Sequence, residues 1–203
     1  MTPPDNPHST SHLTATSLAQ ALSQPSMSEC CEQLAGLGIG LIGVHGIRAA
    51  ERTKQKIPSV GTAKDPLLGD PTRVASRILG AEEAYGLQFS STGGLLVGVD
   101  ADTPDEIEVA REFFEVLGIE YKGPGVTTPG VKRDDGSHHH WDGGHYYIVL
   151  DSPHGLSAAS KQYKGSSGAH VDIAIGNKYF LGPRAYDPRV SMNSQASCTR
   201  QAQ

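Results

Sequence analysis

The sequence predicts a mixed α/β protein of the α+β kind, with a sheet that is at least partly antiparallel. Three observations carry this. LLVGVDAD, HYYIVLD and HVDIAI are short apolar runs with period-two alternation, the pattern of half-buried strands. The first runs straight into TPDEIEVAREFFEVLG, whose apolar residues recur at helical spacing. Gly176–Asn177 then stands between the third run and KYFLGP, where two facing strands need a tight turn.

Residues 1–12, MTPPDNPHSTSH, are polar and proline-rich, the composition of a disordered tail. Leu13 to Leu37 reads as helix, with Leu18, Leu22, Met27, Cys31, Leu34 and Leu37 on one stripe and Pro25 interrupting it. Gly38 to Val44 is an apolar strand, and Ala49 to Asp70 a long connection. A helix is expected over Pro71 to Ala84, with Asp70 as N-cap and proline in the first turn. The strand Leu95 to Asp102 follows. Thr103 caps the next helix, Asp105 and Glu106 favour its positive end, and Gly118 stops it. Tyr121 to Thr128 is a further strand, and Gly130 to Gly143 a polar, histidine-rich loop. His145 to Asp151 and His170 to Ile175 are strands separated by a Gly/Ser/Lys loop, Ser152 to Ala169, and Lys178 to Pro183 is the last strand. The expected organisation is one domain over 13–186, followed by a disordered tail or linker stub over 187–203.

The 203 residues suffice for one domain with a proper core. A net charge of −5 argues against a protein that coats nucleic acid, which needs many Lys and Arg, but not against an enzyme that grips a template locally. No apolar run reaches the ~18 residues that span a bilayer, so no membrane partner is expected. Cys30 and Cys31 are adjacent and Cys198 is remote, which makes neither a disulfide framework nor a zinc pattern. A cytoplasmic setting is the default expectation.

The chemistry lies on the strands. Alternation puts Leu96, Gly98, Asp100 and Asp102 on one face, opposite Leu95, Val97 and Val99. Carboxylates two residues apart stand roughly 6.5 Å apart, a spacing that oxygen-loving cations can bridge. Gly98 is expected to leave open space above the sheet. An isolated Asp-x-Asp is better explained by a strand end whose second acid caps the next helix. Asp172 shifts the balance, because Val171, Ile173 and Ile175 take the core face and leave Asp172 on the other. A strand acid of this kind is either an edge charge that deters aggregation or a ligand. His145 follows Gly143 and Gly144, a backbone that a phosphate can approach, with an imidazole to donate to it.

Together GLLVGVDAD, TTPG…DGGHYYIVL and HVDIAIGNKYFLGP, with KIPSVG upstream, resemble the bifunctional primase/polymerase domain of the archaeo-eukaryotic primase superfamily over roughly residues 38–183. The resemblance implies a fold in which an α/β unit packs against an RRM-like unit, with the active site in the cleft between them. It implies template-dependent nucleotidyl transfer, making or extending primers, as in phage or plasmid DNA replication. Asp100, Asp102 and Asp172 would be the catalytic metal ligands for Mg²⁺ or Mn²⁺, two ions in all. His145, Gly144 and Lys178, or Tyr179 beside it, would contact the incoming nucleotide. The implied partners are a single-stranded DNA template, dNTP or NTP, and a helicase domain or subunit, in the cytoplasm of the host if phage-encoded.

Two departures from the family pattern matter. GVKRDDGSHHHWD is inserted before the Gly-Gly-His, and Asp142 stands where Ser or Gly is common. Ser137-x-His139 is therefore a rival for the second motif, and His145 is preferred because an apolar strand follows it directly. Lys132, Arg133 and Trp141 in the insertion, and Lys54, Lys56, Lys161 and Lys164 elsewhere, are candidate template contacts. Three other readings compete: a non-catalytic single-stranded nucleic-acid-binding module on the same core, an Asp-x-Asp nucleotide-sugar transferase, and a metal-dependent nuclease.

Overall fold

The computed structural model describes residues 12–44, 58–80, 84–128, 131–132, 138–139, 143–153, 161–183, 191–192 and 198–199. The amino-terminal stretch forms two helices, α1 (Ala15–Leu22) and α2 (Met27–Gly36). Thr14 and Ser17 cap α1 reciprocally, and Ser26 caps α2 by accepting from the Glu29 N–H. Pro25 lies between them, where the sequence predicts the break. Then come β1 (Gly40–Val44), β2 (Pro58–Val60) and α3 (Pro71–Leu79). The Asp70 carboxylate accepts from the Arg73 N–H at 2.8 Å to start α3.

α3 does not continue to Ala84. It stops at Gly80, and Ala84–Gln88 is instead a strand, β3, buried at every position and paired along its whole length with β1. β3 has no sequence signal because AYGLQ lacks the alternation of a half-buried strand; it is covered on both faces. A 3-10 turn at Ser90–Thr92 leads to β4 (Leu96–Ala101) and α4 (Pro104–Val116), capped by Thr103 as expected.

β5 (Val126–Thr128), β6 (Val131–Lys132), β7 (His138–His139) and β8 (Gly143–Val149) follow. The expected polar loop over 130–143 thus contains a short antiparallel ladder, β6 on β7. β9 (Lys161–Lys164) lies in the segment expected as a loop and pairs antiparallel with β10 (His170–Ala174). Its face is exposed, so no apolar periodicity marked it. β11 is Tyr179–Leu181. Two short strands, β12 (Ser191–Met192) and β13 (Cys198–Thr199), pair with β5 and β8 where the sequence predicts a disordered tail. Residues 1–11 and the rest of 187–203 lie outside the described residues.

The strands make two main sheets. The first runs β11-β3-β1-β2 and is antiparallel throughout. The second runs β12-β5-β8-β4-β10-β9, also antiparallel, with β13 parallel against β8. Gly176–Asn177 is consequently not a hairpin turn. It carries the chain out of the second sheet, where β10 ends, and into the first, where β11 pairs with β3. A positive φ of 62° at Gly176 permits the bend.

One face of the second sheet packs Val99, Ala101, Tyr146, Ile148 and Val171 onto Val109, Ala110 and Phe114 of α4. The other face contributes Leu96, Val126, Tyr147, Val149 and Ala174 to a core shared with α1, α2, α3, β1 and β3. The two sheets therefore share one core, with Phe89, fully buried, among its largest side chains. Among the described residues, no helix is long and apolar enough to cross a membrane.

Candidate active-site cleft

The register of the second sheet aligns the polar candidates in one row. Val126 stands opposite His145, His145 opposite Asp100, Asp100 opposite Asp172, and Asp172 opposite Gln162. Directly paired residues in an antiparallel sheet point to the same face, with Cβ atoms about 5 Å apart. The alternation read from the sequence is the one observed: Asp100 and Asp172 leave the core face to Val99, Val171 and Ile173.

His145 is buried, and its Nε2 lies 3.5 Å from Asp100 Oδ1. Its ring stacks on Phe180, with centroids 4.6 Å apart and planes 25° from parallel. Phe180 in turn meets Phe89 edge-on at 5.0 Å. On the other side of the row, Gln162 Nε2 donates to Asp172 Oδ1 at 2.8 Å. Asp100, His145, Asp172 and Phe180, with Ala174, Lys178, Tyr179 and Leu181, line a cleft of about 240 Å³ between the two sheets. Lys178 is exposed at its rim.

Burial, and next the nearby charge of Asp100, push the Tyr147 phenol well above its ordinary value, so it stays neutral beneath the site. Burial alone raises Tyr179. Tyr147 donates to Leu181 O at 3.3 Å, tying the floor of the second sheet to β11.

The crossing that brings β11 over this row is held by Gln88, which is fully buried. Its Nε2 is 2.9 Å from Ala63 O and 3.4 Å from Gly176 O and also contacts Ser90 Oγ, while its Oε1 accepts from the Ser91 N–H at 2.9 Å. The Ser90 N–H donates to Gly176 O at 2.8 Å, and the Phe89 N–H to Lys178 O at 3.1 Å. A buried amide with both ends satisfied fixes the loop it touches, because an unmade bond there costs about 1–3 kcal/mol. Phe180 and Lys178 therefore arrive over the sheet on a fixed path. Gln88, Phe89 and Gln162 carried no signal in the sequence. Phe180 was visible only as the aromatic in KYFLGP.

One glycine has a different use from the one expected. Gly98 does not open the sheet: a Cβ there would stand 2.4 Å from the Phe180 ring and 2.5 Å from Phe89. Its missing side chain makes room for Phe180, which lines the cleft, and for Phe89 buried behind it. At Gly144 the same space is filled by Pro124, 2.4 Å from a notional Cβ.

The structure thus brings Asp100, Asp172, His145 and Lys178 together. Asp102 lies one residue beyond β4 and outside the cleft lining, and its N–H donates to Glu106 at 2.6 Å. Helix capping falls to Thr103, not Asp102. Among the described residues, no three His, Cys, Asp or Glu side chains stand close enough to share a metal. The expected three-carboxylate cluster is therefore present as a pair. That pair fits a hard divalent ion: like charges directly opposite in a sheet repel, and Mg²⁺ or Mn²⁺ is commonly held by one or two carboxylates, with substrate phosphates and water completing the shell. His139, the rival for the second motif, sits in the separate β6–β7 ladder. Ser137, Arg133, Trp141, Asp142, Lys54 and Lys56 lie outside the described residues.

No protein-family model matches the chain, and no curated protein matches it.

Proposed function

We propose that the chain is a primase–polymerase domain that transfers nucleotides to a growing strand in the cleft between its two sheets. The observation that carries the reading is the pairing of Asp100 with Asp172, with His145 on the far side of Asp100 and Lys178 at the rim. Residues 72 positions apart meet as direct cross-strand neighbours (172 − 100 = 72), in the order and on the face that the motifs require. The strand order β5-β8-β4-β10, with α4 following β4, is also the order of an RRM-like unit, and it supports the fold that the resemblance implies.

Asp100 and Asp172 would hold the metal. A divalent ion there supplies Lewis-acid activation of a 3′-hydroxyl and neutralises charge on the triphosphate. Phe180 stacks on the His145 imidazole, whose Nε2 faces Asp100, so His145 would steady the Asp100 carboxylate at the cleft wall. Lys178 adds a mobile positive charge at the mouth, where a triphosphate enters.

The test is extension of a primed single-stranded template with labelled nucleotides and Mn²⁺. Wild type is expected to form metal-dependent products, and Asp100→Asn or Asp172→Asn to reduce them by about two orders of magnitude or more. Undiminished incorporation by Asp172→Asn overturns the assignment. Shortening of the labelled primer instead of its extension would identify a nuclease.

A further inference from the structure

The row containing Asp100 and Asp172 has a neighbour on the open edge of the same sheet. One pleat repeat along β10 from Asp172 is His170, and directly opposite His170 on β9 is Lys164. All four of Gln162, Lys164, His170 and Asp172 are exposed and share one face, which continues the cleft floor outward. The segment from 161 to 178 carries three of the chain's eight lysines and a single acid, Asp172, in a protein of net charge −5. Of these, Lys164 shares the face of Asp172, while Lys161 pairs with Ile173 on the opposite face and Lys178 stands at the cleft rim.

This edge is not a loose hairpin. Glu112 of α4 accepts from the Ser166 N–H at 2.8 Å and from its hydroxyl at 2.5 Å. The Gly165 N–H donates to Ala169 O at 2.9 Å. Val109 fills the space beside Gly165, 2.6 Å from a notional Cβ. The turn that joins β9 to β10 is clamped to α4 at both side chain and backbone, so Lys164 and His170 are held in place relative to Asp172.

We propose that Lys164 and His170 form a phosphate seat for a nucleic-acid strand whose end lies at Asp100 and Asp172. Two residues along a strand cover about 6.5 Å, the length of one nucleotide repeat in an extended chain. A phosphodiester on the Lys164–His170 pair therefore leaves the adjoining terminal nucleotide over the carboxylates. Phosphate contacts of this kind position a strand without reading its sequence. The inference rests on the nucleotidyl-transfer reading for what happens at the end of the strand, but the seat itself requires only a polyanion.

The experiment is binding of a fluorescein-labelled single-stranded deoxyoligonucleotide, followed by anisotropy in EDTA across a salt series. Lys164→Ala is expected to weaken binding severalfold and to lower the slope of log K against log salt by about one. Lys164→Ala/His170→Ala is expected to weaken it further. Lys122→Ala removes the same charge from a lysine held by Glu120 at 3.3 Å, and should change neither quantity. Because these side chains are exposed, unfolding midpoints should match wild type.

Equal affinity and slope for the double variant, or equal losses in Lys122→Ala, overturn the seat. So does a wild type that binds no oligonucleotide at low salt. Primer extension separates the two claims: extension by a wild type whose double variant binds normally sinks the seat alone. Strand binding lost in the double variant, with no extension by wild type, supports the seat and sinks the catalytic reading.

Discussion

Asp100 and Asp172 face each other across β4 and β10. Two carboxylates directly opposite each other in an antiparallel pair cost stability, and a fold retains that cost where the pair has a use. Asp172→Asn is therefore expected to raise the thermal midpoint in EDTA. Wild type should gain stability from Mn²⁺, by ~2.7 kcal/mol at a hundredfold excess over Kd, and the variant should not. Thermal scans of both proteins with and without Mn²⁺ check this, and an equal Mn²⁺ response in the variant places the ion elsewhere. Gly98 makes a complementary case. Gly98→Ala would force apart Phe89 and Phe180, at a cost of about 1–3 kcal/mol. Urea unfolding measures that loss, and an unchanged midpoint would mean that the rings yield freely.

At the scale of elements, α4 does two things. Its apolar stripe covers the outer face of the second sheet, and Glu112 reaches past that stripe to the β9–β10 turn. Hydrogen bonds from the Ser166 hydroxyl, and next from its N–H, hold the Glu112 carboxyl below its ordinary value. A depressed folded value means that the clamp is fully present above the ordinary value of about 4.5 and is lost as pH falls through the folded one. Amide exchange at Ser166 should accelerate on acidification through that window beyond the intrinsic chemical rate. In Glu112→Gln the extra acceleration should vanish. An identical acid response in both proteins would show that Glu112 does not hold the turn.

For the whole molecule, the decisive feature is one core shared by two sheets. Phe89 sits where β3 leaves the first sheet and contacts Phe180, with Tyr147 of the second sheet stacked 6.4 Å away. Phe89→Ala is expected to cost about 3–5 kcal/mol, and near-UV and far-UV signals should still report a single transition. Separate transitions would mean that the sheets are independent units, and a cleft between them would not hold its geometry.

The sequence by itself determined the elements whose periodicity is strong. The strand–helix unit from Leu96 to Val116, the alternation in β8 and β10, and the shared face of Asp100 and Asp172 are all local consequences of side-chain period and capping. β3 and β9 escaped it for opposite reasons. β3 is buried on both faces and β9 exposed on most of its residues, and neither condition leaves an alternating pattern. Only the tertiary structure decided that Gly176–Asn177 crosses between sheets, because a glycine bend has the same local signature in a hairpin as in a crossing. That crossing brings Phe180 onto His145 and Lys178 to the cleft. Register, too, is a long-range property: one residue of slip would turn Asp172 into the core. The candidate acids were therefore legible one at a time, and their meeting was not.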